Sequence, residues 1–151
     1  MGAGGAGAAV AHALLSEGVR QLSIFDVDIR RAQDLADNLN QHFDAGRAVA
    51  GYDLPSAMAQ ADGLVNTTPM GMKKLPGMPV PVELLRKELW VAEIVYFPLE
   101  TELLRNARAL GCRTLDGGNM AVFQAVKAFE LFSGVVPDAQ RMIGHFNSLG
   151  V

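Results

Sequence analysis

The chain has 151 residues, half of them hydrophobic and 19% charged, with a formal net charge of -3. This composition can fill the core of one ordinary domain, which excludes a disordered chain. The charges form no basic cluster, so no nucleic-acid partner is expected, and no apolar run is long enough to predict a membrane span. The first nine residues do not resemble a signal peptide. Cys112 is the only cysteine, which fits a cytoplasmic protein.

Helix-like and strand-like patterns alternate along the chain. In order, they predict a helix at 5–17, a strand at 21–25, a helix at 30–43, a strand at 47–50, a helix at 55–60 and a strand at 63–66. An irregular, proline-rich segment at 67–81 precedes a strand at 90–95, a helix at 100–110, a strand at 113–115 and helices at 119–132 and 138–148. This order predicts one α/β domain over residues 1–151, a Rossmann-type, doubly wound parallel sheet with helices on both faces. Ligands of such sheets bind where the strands end.

The first candidate site is the glycine loop at residues 2–7. Gly2, Gly4 and Gly7 satisfy the G-x-G-x-x-G pattern, in which the backbone and the following helix hold a pyrophosphate. Asp26 follows the next predicted strand, 19 positions after Gly7, where an acidic residue binds the adenosine ribose. Its charge would repel a 2′-phosphate, so the pattern favours NAD over NADP. The alternatives are a flexible Gly/Ala-rich terminus and, for Asp26, a turn or helix-capping role.

The glycine loop should follow a strand, yet it begins at residue 2. We therefore expect the first, central strand of the sheet to be truncated. The two neighbouring strands would then have unpaired edges, and the chain should be marginally stable or should associate, for example as a homodimer.

Three further segments resemble motifs of one enzyme family. Residues 66–72 resemble the Asn-Ala-Thr-(Ser/Pro)-x-Gly-Met loop of shikimate dehydrogenases, residues 95–104 resemble the family's Val-Tyr-x-Pro-x-x-Thr-x-Leu-Leu segment, and residues 116–125 resemble its final motif. The chain thus resembles the C-terminal NAD(P)-binding domain of the shikimate/quinate dehydrogenase family. Asp26 makes it most similar to the NAD-preferring branch, because the NADP-using branch typically has Asn-Arg-Thr at that place. Asn119 departs from the family, in which many members have glycine.

The resemblance implies a role for each matching residue. The implied cofactor-binding residues are Gly2, Ala3, Gly4, Gly5, Ala6 and Gly7 at the pyrophosphate, Asp26 with Asp28 and Arg31 at the ribose, Thr67, Pro69 and Met70 along the groove, and Ile94, Gly117 and Met120 near the nicotinamide. Tyr96 and Gln124 would face the substrate. The alternative for Tyr96 is an ordinary half-buried aromatic, and for Met120 a core position. Gln124 lies on an apolar helix, where a polar side chain needs a hydrogen-bond partner, which the hydroxyl or carboxylate of the substrate would supply.

The resemblance also implies a reaction, the reversible transfer of a hydride between NAD(H) and the ring hydroxyl of shikimate or quinate. The family's catalytic Lys–Asp pair lies on a separate N-terminal substrate domain. No lysine of this chain has that context, so we expect no catalytic residue here, no metal site and no turnover by the chain alone. The alternatives are a non-catalytic dinucleotide-binding fragment, an aminoshikimate dehydrogenase, or a methylene-tetrahydrofolate enzyme, which the Tyr96 and Gln124 motifs disfavour.

Overall fold

The computed structural model describes residues 1–149 and forms an α/β fold; Gly150 and Val151, which the predicted domain includes, lie outside the described residues. In chain order the elements are α1 (Gly5–Ser16), β1 (Leu22–Ile24), α2 (Ile29–His42), β2 (Ala48–Ala50), α3 (Leu54–Gln60), β3 (Gly63–Asn66), β4 (Trp90–Glu93), α4 (Glu102–Ala109), β5 (Arg113–Leu115), α5 (Gly118–Ser133) and α6 (Ala139–Ser148). Every predicted helix and strand is present, with ends that differ by at most two residues. A short 3₁₀ turn at Val82–Leu84 was not predicted.

Most helices begin at a side chain that caps the free N–H groups of the first turn. Asp28, Asp53, Thr101 and Asp138 each accept a hydrogen bond from a backbone N–H two or three residues later. Helix α1 is different, because its N-cap is Gly4, which has no side chain to offer. The start of α1 therefore leaves its N–H groups available.

The strands are parallel and form two separate ladders. Strand β1 pairs with β2, and β3, β4 and β5 pair in that order. Met1 and Gly2 lie between the ladders: the Met1 nitrogen donates to the Val65 carbonyl at 2.8 Å, and the Gly2 N–H donates to the Phe25 carbonyl at 2.7 Å. The spatial order is β2-β1-(Met1–Gly2)-β3-β4-β5, which is the Rossmann order with two residues at the first-strand position.

The position of the first strand is otherwise a cleft. It has a volume of about 870 Å³ and is lined by both ladders and by α1, including Leu14, Leu22, Ile24, Leu64 and Val65. Met1 and Gly2 are thus the residues that occupy the first-strand position between the two ladders. The polypeptide joins the two ladders only at their carboxyl ends, which is the end where the candidate site lies.

The hydrophobic core follows the same division. One cluster packs α1 and α2 against β1 and β2; its buried residues are Ala11, Leu15, Ile24, Ala32, Ala36, Leu39 and Ala48. A second cluster lies under β3 and β4 and includes Leu64, Leu89, Val91, Leu103 and Leu104. Cys112 belongs to this second cluster as a small buried core residue.

Helices α5 and α6 pack against each other at the end of the described chain. Neither is deeply embedded: α5 buries Gly118 and Val122, and α6 buries no residue. Apolar side chains on and after α5 are exposed, namely Phe123, Phe129, Leu131, Phe132, Val135 and Val136. In residues 1–149, no helix has the length and apolar character that crossing a bilayer requires.

Candidate functional site

The glycine loop makes a tight turn that is closed on one side and open on the other. Gly2 has a φ of +94°, which side chains rarely adopt, and a Cβ on Gly7 would overlap the carbonyl oxygen of Gly2. By contrast, a Cβ on Gly4 or Gly5 would meet no atom within 4 Å. The loop therefore presents bare backbone to open space, as a pyrophosphate site requires.

The first turn of α1 adds hydrogen-bond donors to that open side. The first helical bond runs from the Ala8 N–H to the Gly4 carbonyl. Within residues 1–149, the N–H groups of Gly5, Ala6 and Gly7 have no acceptor. Free N–H groups at the positive end of a helix attract anions. This arrangement supports the predicted anion-binding role of residues 2–7.

Asp26 lies beside the glycine loop, just beyond β1. Its Oδ2 accepts a hydrogen bond from the Ala3 N–H at 2.7 Å, and its Oδ1 accepts one from the Asp28 N–H at 2.9 Å. Partial burial opposes ionisation, but these two N–H groups, Arg31 and the Met1 ammonium together hold the pKa of Asp26 below its ordinary value. The carboxylate is therefore fixed and charged, and its remaining lone pairs can accept two hydroxyl groups.

Asp28 and Arg31, the two other residues predicted near the ribose, lie at the start of α2. Asp28 is the N-cap of α2, accepting from the Arg30 N–H at 3.1 Å. The capping role considered for Asp26 therefore belongs to Asp28. Arg31 is exposed in the first turn of α2, where its guanidinium can reach groups near Asp26.

The loop after β3 braces the glycine loop from the other side. The Thr67 hydroxyl donates to the carbonyls of Met1, at 2.8 Å, and Gly2, at 3.0 Å. Pro69 is exposed and Met70 is half-buried in the same loop. The structure thus brings Thr67, Pro69 and Met70 to the same edge of the sheet as the glycine loop.

The residues predicted near the nicotinamide also lie together. Gly117 packs against the backbone carbonyls of Ile94 and Val95. The Ile94 N–H donates to the Asn66 carbonyl at 3.1 Å, which joins this region to the loop after β3. Met120 is half-buried in the first turn of α5.

Tyr96 and Gln124, the predicted substrate residues, are both exposed. The Tyr96 side chain is 49% exposed, and the Gln124 amide faces water on α5. Both side chains are available to a ligand or to another part of a protein.

Sequence reasoning missed a buried polar cluster where β3 and β4 end, formed by Asn66, Glu93 and Thr101. Glu93 accepts hydrogen bonds from the Asn66 amide at 2.9 and 3.0 Å, the Val95 N–H at 3.1 Å and the Thr101 hydroxyl at 3.2 Å. Burial raises the pKa of the Glu93 carboxyl above its ordinary value, although these hydrogen bonds oppose the rise. The sequence feature that could have revealed this cluster is Glu93, an acidic residue at the end of the otherwise apolar strand β4. Asn66 and Glu93 end adjacent strands and are paired in register.

The four lysines lie at the surface. Lys73, Lys74, Lys87 and Lys127 are all exposed, and Lys127 pairs with Glu130 at 2.9 Å. Over residues 1–149, no group of three or more His, Cys, Asp or Glu side chains could hold a metal ion.

Comparison with known proteins gives consistent matches over almost the whole chain. It is 58% identical to a shikimate dehydrogenase (NADP(+)) of Streptomyces avermitilis, with 99% of this chain and 52% of that protein aligned. It is 53% identical to a quinate/shikimate dehydrogenase (NAD(+)) of Corynebacterium glutamicum, with 99% of this chain and 53% of that protein aligned. No family model matches the chain.

A solved structure shares both sequence and fold. The quinate dehydrogenase from Corynebacterium glutamicum in complex with NAD superimposes with a TM-score of 0.89 and 51% identity, covering 97% of this chain and 53% of that one. The chain therefore spans about half the length of the curated relatives and solved structures that it matches.

Proposed function

Since this chain belongs to the shikimate/quinate dehydrogenase family over the half of its relatives' length that it spans, we propose that it binds NAD as the cofactor domain of such an enzyme. The substrate would be shikimate or quinate, and the reaction the reversible oxidation of a ring hydroxyl. The proposal also places the protein in the cytoplasm, in keeping with its single, unpaired Cys112.

One observation carries the proposal: free N–H groups and an ionised carboxylate converge on one open space. The free N–H groups of Gly5, Ala6 and Gly7 suit a pyrophosphate. Asp26 lies next to them, because its carboxylate accepts the Ala3 N–H, and suits a ribose diol. The open side of Gly4 leaves room for the ligand to approach. These donors and acceptors fit a dinucleotide.

The same carboxylate supports NAD rather than NADP. Asp26 holds a negative charge where a 2′-phosphate would lie, and like charges at contact distance repel. Arg31 is the only nearby cation acting on Asp26 besides the Met1 ammonium among the described residues. One of the similar relatives is an NADP(+) enzyme and the other an NAD(+) enzyme, so the charge at position 26 is the feature to test.

The remaining residues would orient the ligands. Thr67 holds the glycine loop, and the contact of Gly117 with the backbone at Ile94 forms the far end of the groove. Bound NAD would accept or return the hydride. Tyr96 and Gln124, which are both exposed, would be this chain's contacts with the hydroxy acid. Proton transfer needs a general base, which we assign to the other half of the enzyme, because no lysine of this chain has the context of the family's catalytic motif.

Calorimetric titration of the chain with NAD and NADP tests the proposal. We expect NAD to bind at least tenfold more tightly than NADP. Asp26→Asn should reduce that ratio by tenfold or more, because it removes the charge. Asp34→Asn, an exposed position on α2, is the matched control and should leave the ratio unchanged. Absence of NAD binding to the wild-type chain would contradict the proposal.

A second assay separates cofactor binding from catalysis. With NAD and either quinate or shikimate, the chain alone should show no NADH formation above background. Turnover by the chain would show that a general base lies within it. Binding without turnover would also suit a non-catalytic fragment, and restored turnover on adding the other half of a relative would rule that alternative out.

A further inference from the structure

Asn66, Glu93 and Thr101 are the only buried polar or charged side chains in the described part of the chain, and they form one cluster. Glu93 is 3% exposed and has no Lys, Arg or His partner within salt-bridge distance in residues 1–149. A buried carboxylate without a cation is costly unless hydrogen bonds satisfy it. What Glu93 holds in place is therefore informative.

Glu93 determines which way the Asn66 amide points. The Asn66 Nδ2 donates to the Glu93 carboxyl group at 2.9 Å, and the same nitrogen also donates to the Met70 carbonyl, which can only accept, at 2.9 Å. The Asn66 Oδ1 then faces Thr68, accepting from its N–H at 3.0 Å and its hydroxyl at 2.7 Å. A flipped amide would place two acceptors in contact.

This orientation shapes the loop that braces the glycine loop. The loop winds around both ends of the Asn66 amide, through Thr68 and Met70. It thereby places Thr67, whose N–H and hydroxyl donate to the Met1 carbonyl, each at 2.8 Å. The buried carboxylate is therefore connected to the glycine loop by hydrogen bonds at Asn66 and at Thr67, with the backbone between these two neighbouring residues as the link.

We propose that Glu93 is a positioning residue for the cofactor: by orienting Asn66, it holds residues 67–70 against the glycine loop. Glu93 does not itself touch the cofactor. This inference rests on the proposed NAD-binding function for its affinity measurement, and it adds a residue that acts through another.

A swap of the two polar partners tests the inference. Asn66→Asp keeps the shape and the acceptor for Thr68 but places two carboxylates together, and we expect it to weaken NAD binding at least tenfold. Adding Glu93→Gln restores a donor opposite an acceptor at this contact but not at the Met70 carbonyl, so the double variant should recover part of the affinity, at least threefold over Asn66→Asp. A double variant that binds no better than Asn66→Asp would overturn the inference.

Two further measurements separate positioning from general destabilisation. Leu89→Ala empties part of the core at the end of β4 opposite to Glu93, and the folded protein should keep its NAD affinity within about twofold; equal weakening by this variant would contradict the inference. If Asn66→Asp does not fold, Glu93→Met removes the acceptor without adding a charge, and the same loss of affinity is expected.

Amide hydrogen exchange provides a readout that does not need NAD. The Thr67 N–H, which donates to the Met1 carbonyl, should exchange at least tenfold faster in Asn66→Asp and should be protected again in the double variant. If the wild-type chain binds no NAD, the proposed function fails, yet this measurement still decides whether Glu93 positions the loop. Unchanged exchange of Thr67 in both variants would overturn the inference.

Discussion

The cleft between the two ladders predicts that a short apolar extension before Met1 should strongly stabilise the fold. Parallel pairing fixes the register of such an extension. Because Met1 lies opposite Asn66 and Gly2 opposite Asp26, the residue before Met1 would bond to the Ser23 carbonyl and the Phe25 N–H. The next two residues would bond in turn to β3 and to β1.

The magnitude follows from the bonds and surfaces that the cleft offers. Three added residues would make about six hydrogen bonds, each contributing roughly 1 kcal/mol. Three Val or Ile side chains buried between the ladders would add roughly 2 kcal/mol each, and ordering these residues would cost roughly 2 kcal/mol each. We therefore expect a net gain of about 6 kcal/mol. For a chain of this length the gain would raise the Tm by roughly 12–24 °C.

The assay is urea and thermal unfolding of three proteins: the chain as given, the chain with Val-Ile-Val inserted between a new initiator methionine and Met1, and a matched Gly-Ser-Gly insertion. Only the apolar insertion should produce the full gain, and size-exclusion chromatography should show less self-association, because the edges of β1 and β3 would be paired. Equal effects of the two insertions, or none from either, would refute the strand order derived above.

Two other predictions concern the glycine loop and the terminal amine. Gly7→Ala should destabilise the fold by about 2–4 kcal/mol in urea unfolding, because its Cβ would overlap the Gly2 carbonyl, whereas Gly5→Ala, which meets open space, should change stability by less than about 0.5 kcal/mol. Burial lowers the pKa of the Met1 ammonium to about 6, although Asp26 opposes this; the folded state then binds the proton less tightly than the unfolded state. The free energy of unfolding should therefore rise by about 2 kcal/mol between pH 6 and 8, and a flat profile, or a rise that survives acetylation of Met1, would contradict the reasoning.

Much of the fold could be predicted from local signals. Helix starts follow from single capping residues such as Asp28 and Thr101, and the glycine loop with Asp26 follows from a fixed spacing. These features depend on residues close in sequence, which is why a pattern reveals them.

The features that escaped prediction depend on tertiary context. The Asn66–Glu93 contact joins positions 27 apart and requires the register of β3 against β4. Sequence periodicity predicted helix α5 and its apolar residues but not what surrounds them, and several of these residues, including Phe123 and Phe129, are exposed. The site roles of individual residues stay predictions, to be tested by the variants above.

The division of the core has a consequence for how the molecule opens. The two hydrophobic clusters share no buried residue among residues 1–149, and in the same residues the backbone hydrogen bonds that bridge the two ladders are those of Met1 and Gly2. We expect two cooperative opening units, one containing β1 and β2 and the other β3, β4 and β5, each with its own opening free energy. A dinucleotide whose phosphates bind α1 while its far end lies near Gly117 would span both units. Its binding would then couple the two units, so that they open together rather than separately.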